Sequence, residues 1–137
     1  ETGELTLLTD TFKNPNGLCF SLDEQRLFIN DSPTQQIHSF AVQPDGTLTD
    51  GQLWAVAEKP GIGAVDGMKF DSEGNLYCCG PGGIYLFDAE ANWLGHIEIP
   101  EQTANLAWGD DDLRTLYITA STSIYRARVN IPGVKLF

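Results

Sequence analysis

The residues best suited to chemistry are oxygen-bearing side chains that recur at one place in a repeat. Asn16, Asp66 and Asn105 each open a segment that can be laid over the other two. An aromatic follows three or four residues on, as Phe20, Phe70 and Trp108. Side chains placed alike in successive repeats converge on one point when the repeats are set around an axis. Oxygen ligands suit hard cations such as Ca²⁺, Mg²⁺ or Mn²⁺, and neither Cys nor His occupies an equivalent position. A plainer reading stands beside this one: Asn or Asp before Gly, as at Asn16 and Asp66, also forms turns.

The elements that would position these residues are short strands. After the aromatic comes an acidic turn: Leu22 to Gln25, Asp71 to Gly74, Gly109 to Asp112. An apolar run follows (Leu27-Phe28-Ile29, Leu76-Tyr77-Cys78, Leu116-Tyr117-Ile118), then a loop and a second run centred on Ile37, Ile84 and Ile124. The starts are spaced by 50 and then 39 residues. No stretch carries the spacing of an amphipathic helix over three turns, and about four strands per 40–50 residues is the arithmetic of a propeller blade. Asp45-Gly46 marks a hairpin turn, and Leu94 to Ile99 reads as an outer strand. The expectation is an all-β chain, one propeller segment over residues 1–137, with blade-like repeats near 12–57, 61–99 and 101–130. Three blades leave two sheet faces open, so the chain needs further blades or a second copy to close a ring.

Composition narrows the partners. The 137 residues are 42% hydrophobic, enough for one core, and carry a net charge of −11. A surface this acidic repels phosphate backbones, which excludes nucleic acid as a natural partner. No apolar run approaches the roughly 20 residues that cross a bilayer, and no signal-peptide pattern is seen. Cys19, Cys78 and Cys79 are odd in number, and two are adjacent, so they read as buried thiols rather than a disulfide framework. The expected location is the cytoplasm, with no membrane association.

Other candidates read more plainly. Asn105 is a turn residue or a support facing the axis. Asp31, in the loop after the first apolar run, is a solvated loop residue or a rim residue touching metal or substrate. Asp110, Asp111 and Asp112 lack the spacing of a calcium loop and fit a polar hairpin turn. His38 and His96 have no Ser or Cys motif to partner them. Gly80-Pro81-Gly82-Gly83 lacks the Lys-Ser/Thr ending of a phosphate loop. Trp54, Trp93 and Trp108 suit packing between blades.

The motifs resemble a known family. Pro15-Asn16-Gly17-Leu18, Phe20-Ser21 and Asp23-Glu24 resemble a PNGLAFSPDE pattern. Val65 to Asp71 with Gly74-Asn75-Leu76-Tyr77 resembles PDGMKVD-x-x-GNLY. Gly82-Gly83-Ile84, Asn105-Leu106-Ala107 and Thr115 to Ala120 complete the set in order. Together they resemble the C-terminal half of the SMP-30/gluconolactonase/LRE-like (regucalcin-like) family. The resemblance implies a six-bladed propeller that hydrolyses sugar lactones with one divalent metal ion (Ca²⁺, Zn²⁺, Mn²⁺ or Mg²⁺) in its central tunnel.

On the matched positions, Asn16 is implied as a metal ligand and Asp66 as both a metal ligand and the general base. The family's glutamate ligand and its substrate-orienting Arg and Asn fall outside the matched half. Val65 stands where Pro usually precedes the Asp, which bears on the rigidity of that loop. The leading expectation is therefore a lactonase, with a small lactone as substrate and this chain incomplete as a catalyst. A non-catalytic interaction module is the alternative, including a half-propeller that dimerises into a ring.

Overall fold

The computed structural model describes residues 3–135. Among these the chain is all-β and forms three antiparallel sheets. The first holds β1 (Pro15–Phe20), β2 (Arg26–Asp31), β3 (Gln36–Val42) and β4 (Leu48–Val56). The second holds β5 (Met68–Phe70), β6 (Leu76–Gly80), β7 (Gly83–Phe87) and β8 (Trp93–Glu98). The third holds β9 (Thr103–Gly109), β10 (Thr115–Ala120) and β11 (Ile124–Arg128). Strands pair in sequence order within every sheet, as in a propeller blade. The third sheet has three strands rather than the expected four. Beyond Arg128 the chain runs back to the second sheet, where Gly133 bridges Asp71 and Ser72 N–H donates to the Pro132 carbonyl.

The acidic turns are built by their aspartates. The Asp71 carboxylate accepts the N–H groups of Glu73 and Asn75, Asp88 those of Glu90 and Asn92, and Asp23 that of Gln25. An aspartate that bonds its own backbone two residues on closes the turn without a ladder partner. These three carboxylates thus serve local turns.

Aromatic and branched side chains fill the seams between sheets. Phe28, Ile37, Val65, Met68 and Phe87 belong to the core shared by the first and second sheets, and Trp54 lies edge-on to Phe28 and Phe87. Leu106, Leu116 and Ile118 form the core shared with the second sheet's Tyr77, Cys79 and Ile84, and Trp108 meets Tyr77 edge-on. Trp93 departs from the packing expectation: it is exposed, with the Lys59 ammonium over its ring. The first strands of the sheets, β1, β5 and β9, lie side by side, so the sheets fan out from one edge.

The two end faces of this arc remain apolar and open. Leu18 and Phe20 pair with Ile29 and Leu27 on the outer face of the first sheet and are about half exposed. Ile124 and Tyr117 are exposed on the far face of the third. All three cysteines are free thiols, with Cys78 and Cys79 buried. No helix among the described residues is long and apolar enough to cross a membrane.

Candidate functional site

Asn16 is the second residue of β1, at an irregularity in its pairing with β2 between Pro15 and Leu18. Such a bulge re-aims side chains at the end of a strand. Here it turns the Gly17 N–H out of the ladder, toward the Asn30 side-chain oxygen at 2.8 Å. Asn16 itself is exposed, and its amide nitrogen donates to Ser32 Oγ at 3.2 Å.

Asp66 lies just before β5 and is fixed through its backbone. Its N–H donates to the Cys79 carbonyl at 3.1 Å, and its carbonyl accepts Asn30 Nδ2 at 2.6 Å. The residue before it is held as firmly. Val65 is fully buried, donates its N–H to Gln35 Oε1 at 3.0 Å and accepts Ser32 Oγ at 2.8 Å. The Gln35 bond is one a proline could not make. The loop owes its order to side chains of the turn between β2 and β3.

The side chains of Asn16 and Asp66 meet across the seam. Burial raises the Asp66 pKa above the ordinary carboxylate value, and bonds from the Gly67 N–H and the Asn16 side chain only partly offset it. Among the described residues the ion pairs all involve Arg128, so no basic side chain pairs with Asp66. A partly desolvated carboxylate without a basic partner among the described residues fits a hard divalent cation. The Asn16 amide here turns its nitrogen to Ser32 and Asp66 and would present its oxygen to an ion only after rotating. The described residues contain no cluster of three or more His, Cys, Asp or Glu that would complete such a site.

Asn105 follows next around the edge. The Gly67 N–H donates to the Ala104 carbonyl at 2.9 Å, and the Asn105 side-chain oxygen accepts the Leu106 N–H at 2.8 Å. A β-carbon on Gly67 would meet that oxygen at 2.5 Å, so the backbone of the second sheet lies directly on Asn105. Beyond it a cavity of about 500 Å³ is lined by Lys69, Asn105, Ala107, Tyr117, Thr119 and Ile124. The structure thus brings Asn16, Asp66 and Asn105 into consecutive positions.

Asp31 ends β2 rather than occupying a loop, and is buried. Its carboxylate accepts the N–H groups of Lys13 and Asn14 at 3.1 and 2.7 Å, and Thr34 Oγ1 at 2.8 Å. Burial raises its pKa, but the bonds from Asn14, Thr34 and Lys13 prevail and hold it below the usual range. Its oxygens close the loop leading into β1.

Asp110 and Asp112 are likewise engaged within the third sheet, Asp110 with Thr115 and Tyr117, and Asp112 with Arg128 at 2.6 Å. His38 approaches Gln36 and the Phe12 ring, and His96 sits on β8 against Tyr85.

Asn30 and Ser32 were not anticipated from sequence. The available signal was Asn30 itself, an amide ending the apolar run Leu27-Phe28-Ile29.

Antiparallel sheets fanning from a common edge, with oxygen-bearing side chains at that edge, define a β-propeller segment. The SMP-30/gluconolactonase/LRE-like region model matches residues 1–122. The chain belongs to this family. It is 34% identical over 140 residues to a gluconolactonase of Zymomonas mobilis, covering 96% of this chain and 39% of that protein. It is 29% identical to the 6-deoxy-6-sulfogluconolactonase of Pseudomonas putida, covering 86% and 47%.

Among solved structures, the gluconolactonase of Xanthomonas campestris superposes with a TM-score of 0.80 at 31% identity, covering 94% of this chain and 41% of that one. A calcium-binding protein, regucalcin from Agrobacterium tumefaciens, shares the fold with a TM-score of 0.83 at 19% identity, covering 96% and 51%. The chain spans less than half the length of both curated relatives.

Proposed function

We propose that this chain forms about half of a divalent-metal-dependent hydrolase of sugar lactones. The observation that carries the reading is the close approach of Asn16 and Asp66 across the seam, where Gly17 packs on the Asp66 carbonyl. Asp66 is partly desolvated there, with no basic side chain paired with it among the described residues. Relatives named gluconolactonase and sulfogluconolactonase support the substrate class. The calcium-binding description of the regucalcin neighbour supports a hard cation.

Asn16 would hold the ion through its side-chain carbonyl and Asp66 through its carboxylate, and further ligands come from outside this chain. When bound, a divalent ion polarises a lactone carbonyl and brings water deprotonation into the neutral range. Asp66 would accept the proton of the attacking water, its basicity raised by burial above that of an ordinary carboxylate. Asn105, next around the edge from Asp66 and packed against Gly67, would support the site or meet substrate. Asp31 supports the site from behind by holding the backbone at Lys13 and Asn14.

The open faces at Leu18 and Phe20, and at Tyr117 and Ile124, favour closure by the remaining blades or by a second copy. Three free thiols favour a reducing, cytoplasmic compartment. The test is hydrolysis of glucono-1,5-lactone by the full-length protein with Ca²⁺, Mn²⁺ or Zn²⁺, beside Asp66→Ala. The reading requires activity that chelation and Asp66→Ala both abolish. Activity indifferent to either overturns it.

A further inference from the structure

We infer that Asn30 is a positioning residue that sets the separation of Asn16 and Asp66 by tying their backbones together across the seam; this rests on the metal-site reading above. Asn30 has no exposed surface. Its oxygen accepts the N–H of Gly17, the residue next to Asn16, at 2.8 Å. Its nitrogen donates to the carbonyl of Asp66 itself at 2.6 Å. One amide therefore joins the main chain of Asp66 to that of the residue following Asn16.

The polarity of these bonds fixes the amide. Rotated by half a turn, its oxygen would face the Asp66 carbonyl and its nitrogen the Gly17 N–H, two repulsive contacts. The remaining neighbours are the sulfurs of Met68 and Cys78, each 3.7 Å from Nδ2, which give it no competing strong partner. With water excluded, neither bond has a solvent substitute, so loss of the amide is felt at Gly17 and at Asp66 together.

Packing alone does not call for an amide here. The position is walled by thioether and thiol, where an apolar side chain avoids the cost of burying polar atoms. The matching positions of the other repeats, Cys79 after Leu76-Tyr77-Cys78 and Thr119 after Leu116-Tyr117-Ile118, carry no amide. The amide stands at the seam that joins the two candidate ligands. Supporting partners of this kind change metal affinity by about 10- to 100-fold when removed.

The test titrates the ¹⁵N-labelled full-length protein, which carries the unaltered or substituted chain, with Mn²⁺ and follows paramagnetic broadening of the Gly17 and Gly67 amide signals, a readout independent of activity. Asn30→Ala is compared with Met68→Ala, which opens a cavity in the same seam but leaves both backbone bonds in place. The expected result is site-specific broadening in the unaltered chain, lost in Asn16→Ala and Asp66→Ala. In Asn30→Ala it requires about 10- to 100-fold more Mn²⁺, whereas Met68→Ala loses thermal stability and keeps its affinity.

Unaltered Mn²⁺ binding by Asn30→Ala, with loss in Asn16→Ala and Asp66→Ala, overturns the positioning role alone. Equal weakening in Met68→Ala at matched stability also overturns it. Absence of site-specific broadening in the unaltered chain, or its persistence in Asn16→Ala and Asp66→Ala, overturns the metal site as well. Should Asn30→Ala fail to fold, Asn30→Leu takes its place with the same outcomes, because it fills the space of the amide and makes neither bond.

Discussion

Gly17 lies so close to Asp66 that a β-carbon on it would sit 2.0 Å from the Asp66 carbonyl oxygen. No side chain fits there without parting the first two sheets. Gly17→Ala is therefore expected to destabilise the chain by about 1–3 kcal/mol, the usual cost of forcing a methyl into a packed seam. Urea denaturation gives the value, and a change under 0.5 kcal/mol would show that the seam yields easily.

Asp66 should make stability depend on pH. Its folded pKa is raised by burial, so its favourable contribution is complete below the ordinary carboxylate value and is lost as pH rises through the folded value. In chelator, Asp66→Asn should match the unaltered chain in acid and melt higher at neutral pH. Added Ca²⁺ should raise the melting temperature of the unaltered chain and leave Asp66→Asn unmoved. Calorimetry with EDTA or Ca²⁺ reads both effects.

Glu101 has the opposite sign. Ser123, Tyr125 and Thr122 surround its carboxylate and lower its pKa from 4.5 to about 2. Its contribution is present above pH 4.5 and lost as pH falls toward 2. Glu101→Gln should melt below the unaltered chain at pH 7, and the gap should close in strong acid.

Val65 differs from the proline its motif suggests, and the structure gives a reason to keep it. Val65→Pro removes the N–H that Gln35 Oε1 accepts, at an expected cost of about 1 kcal/mol. In a double-mutant cycle with Gln35→Ala, the two changes should cost less together than the sum of their separate effects. Full additivity would mean that the bond contributes nothing.

The strands and their order were legible because apolar runs alternate with acidic turns. The same turn logic accounts for Asp23, Asp71 and Asp88, whose side chains bond the backbone beside them. Asn16 and Asp66 were legible as a pair because they stand at matching places in the repeats. Asn30 was not, since its partners are a neighbouring strand's N–H and another sheet's carbonyl. Asp31 is an acidic residue of the exposed-looking Asn30-Asp31-Ser32 stretch, yet its partners Lys13 and Asn14 lie 17 or 18 residues away. Trp93 shows the limit from the other side, because aromaticity alone does not say which face of an outer strand meets solvent. The three-stranded third sheet was not legible either: among the described residues, the segment after Arg128 bonds Asp71 and Ser72 of the second sheet.

Asn16 and Asp66 belong to different sheets, and the site exists only once those sheets have docked. Each sheet pairs neighbouring strands and can form from local contacts, whereas the seam joins residues some fifty positions apart and pays a larger loop-closure cost. The proposed cation site is thereby tied to the late step of assembly and not to strand formation. Trp54, held between Phe28 and Phe87 in that seam, is a built-in optical gauge of the same event. Its fluorescence and the capture of a cation should appear together in time during refolding, after the strands themselves are in place.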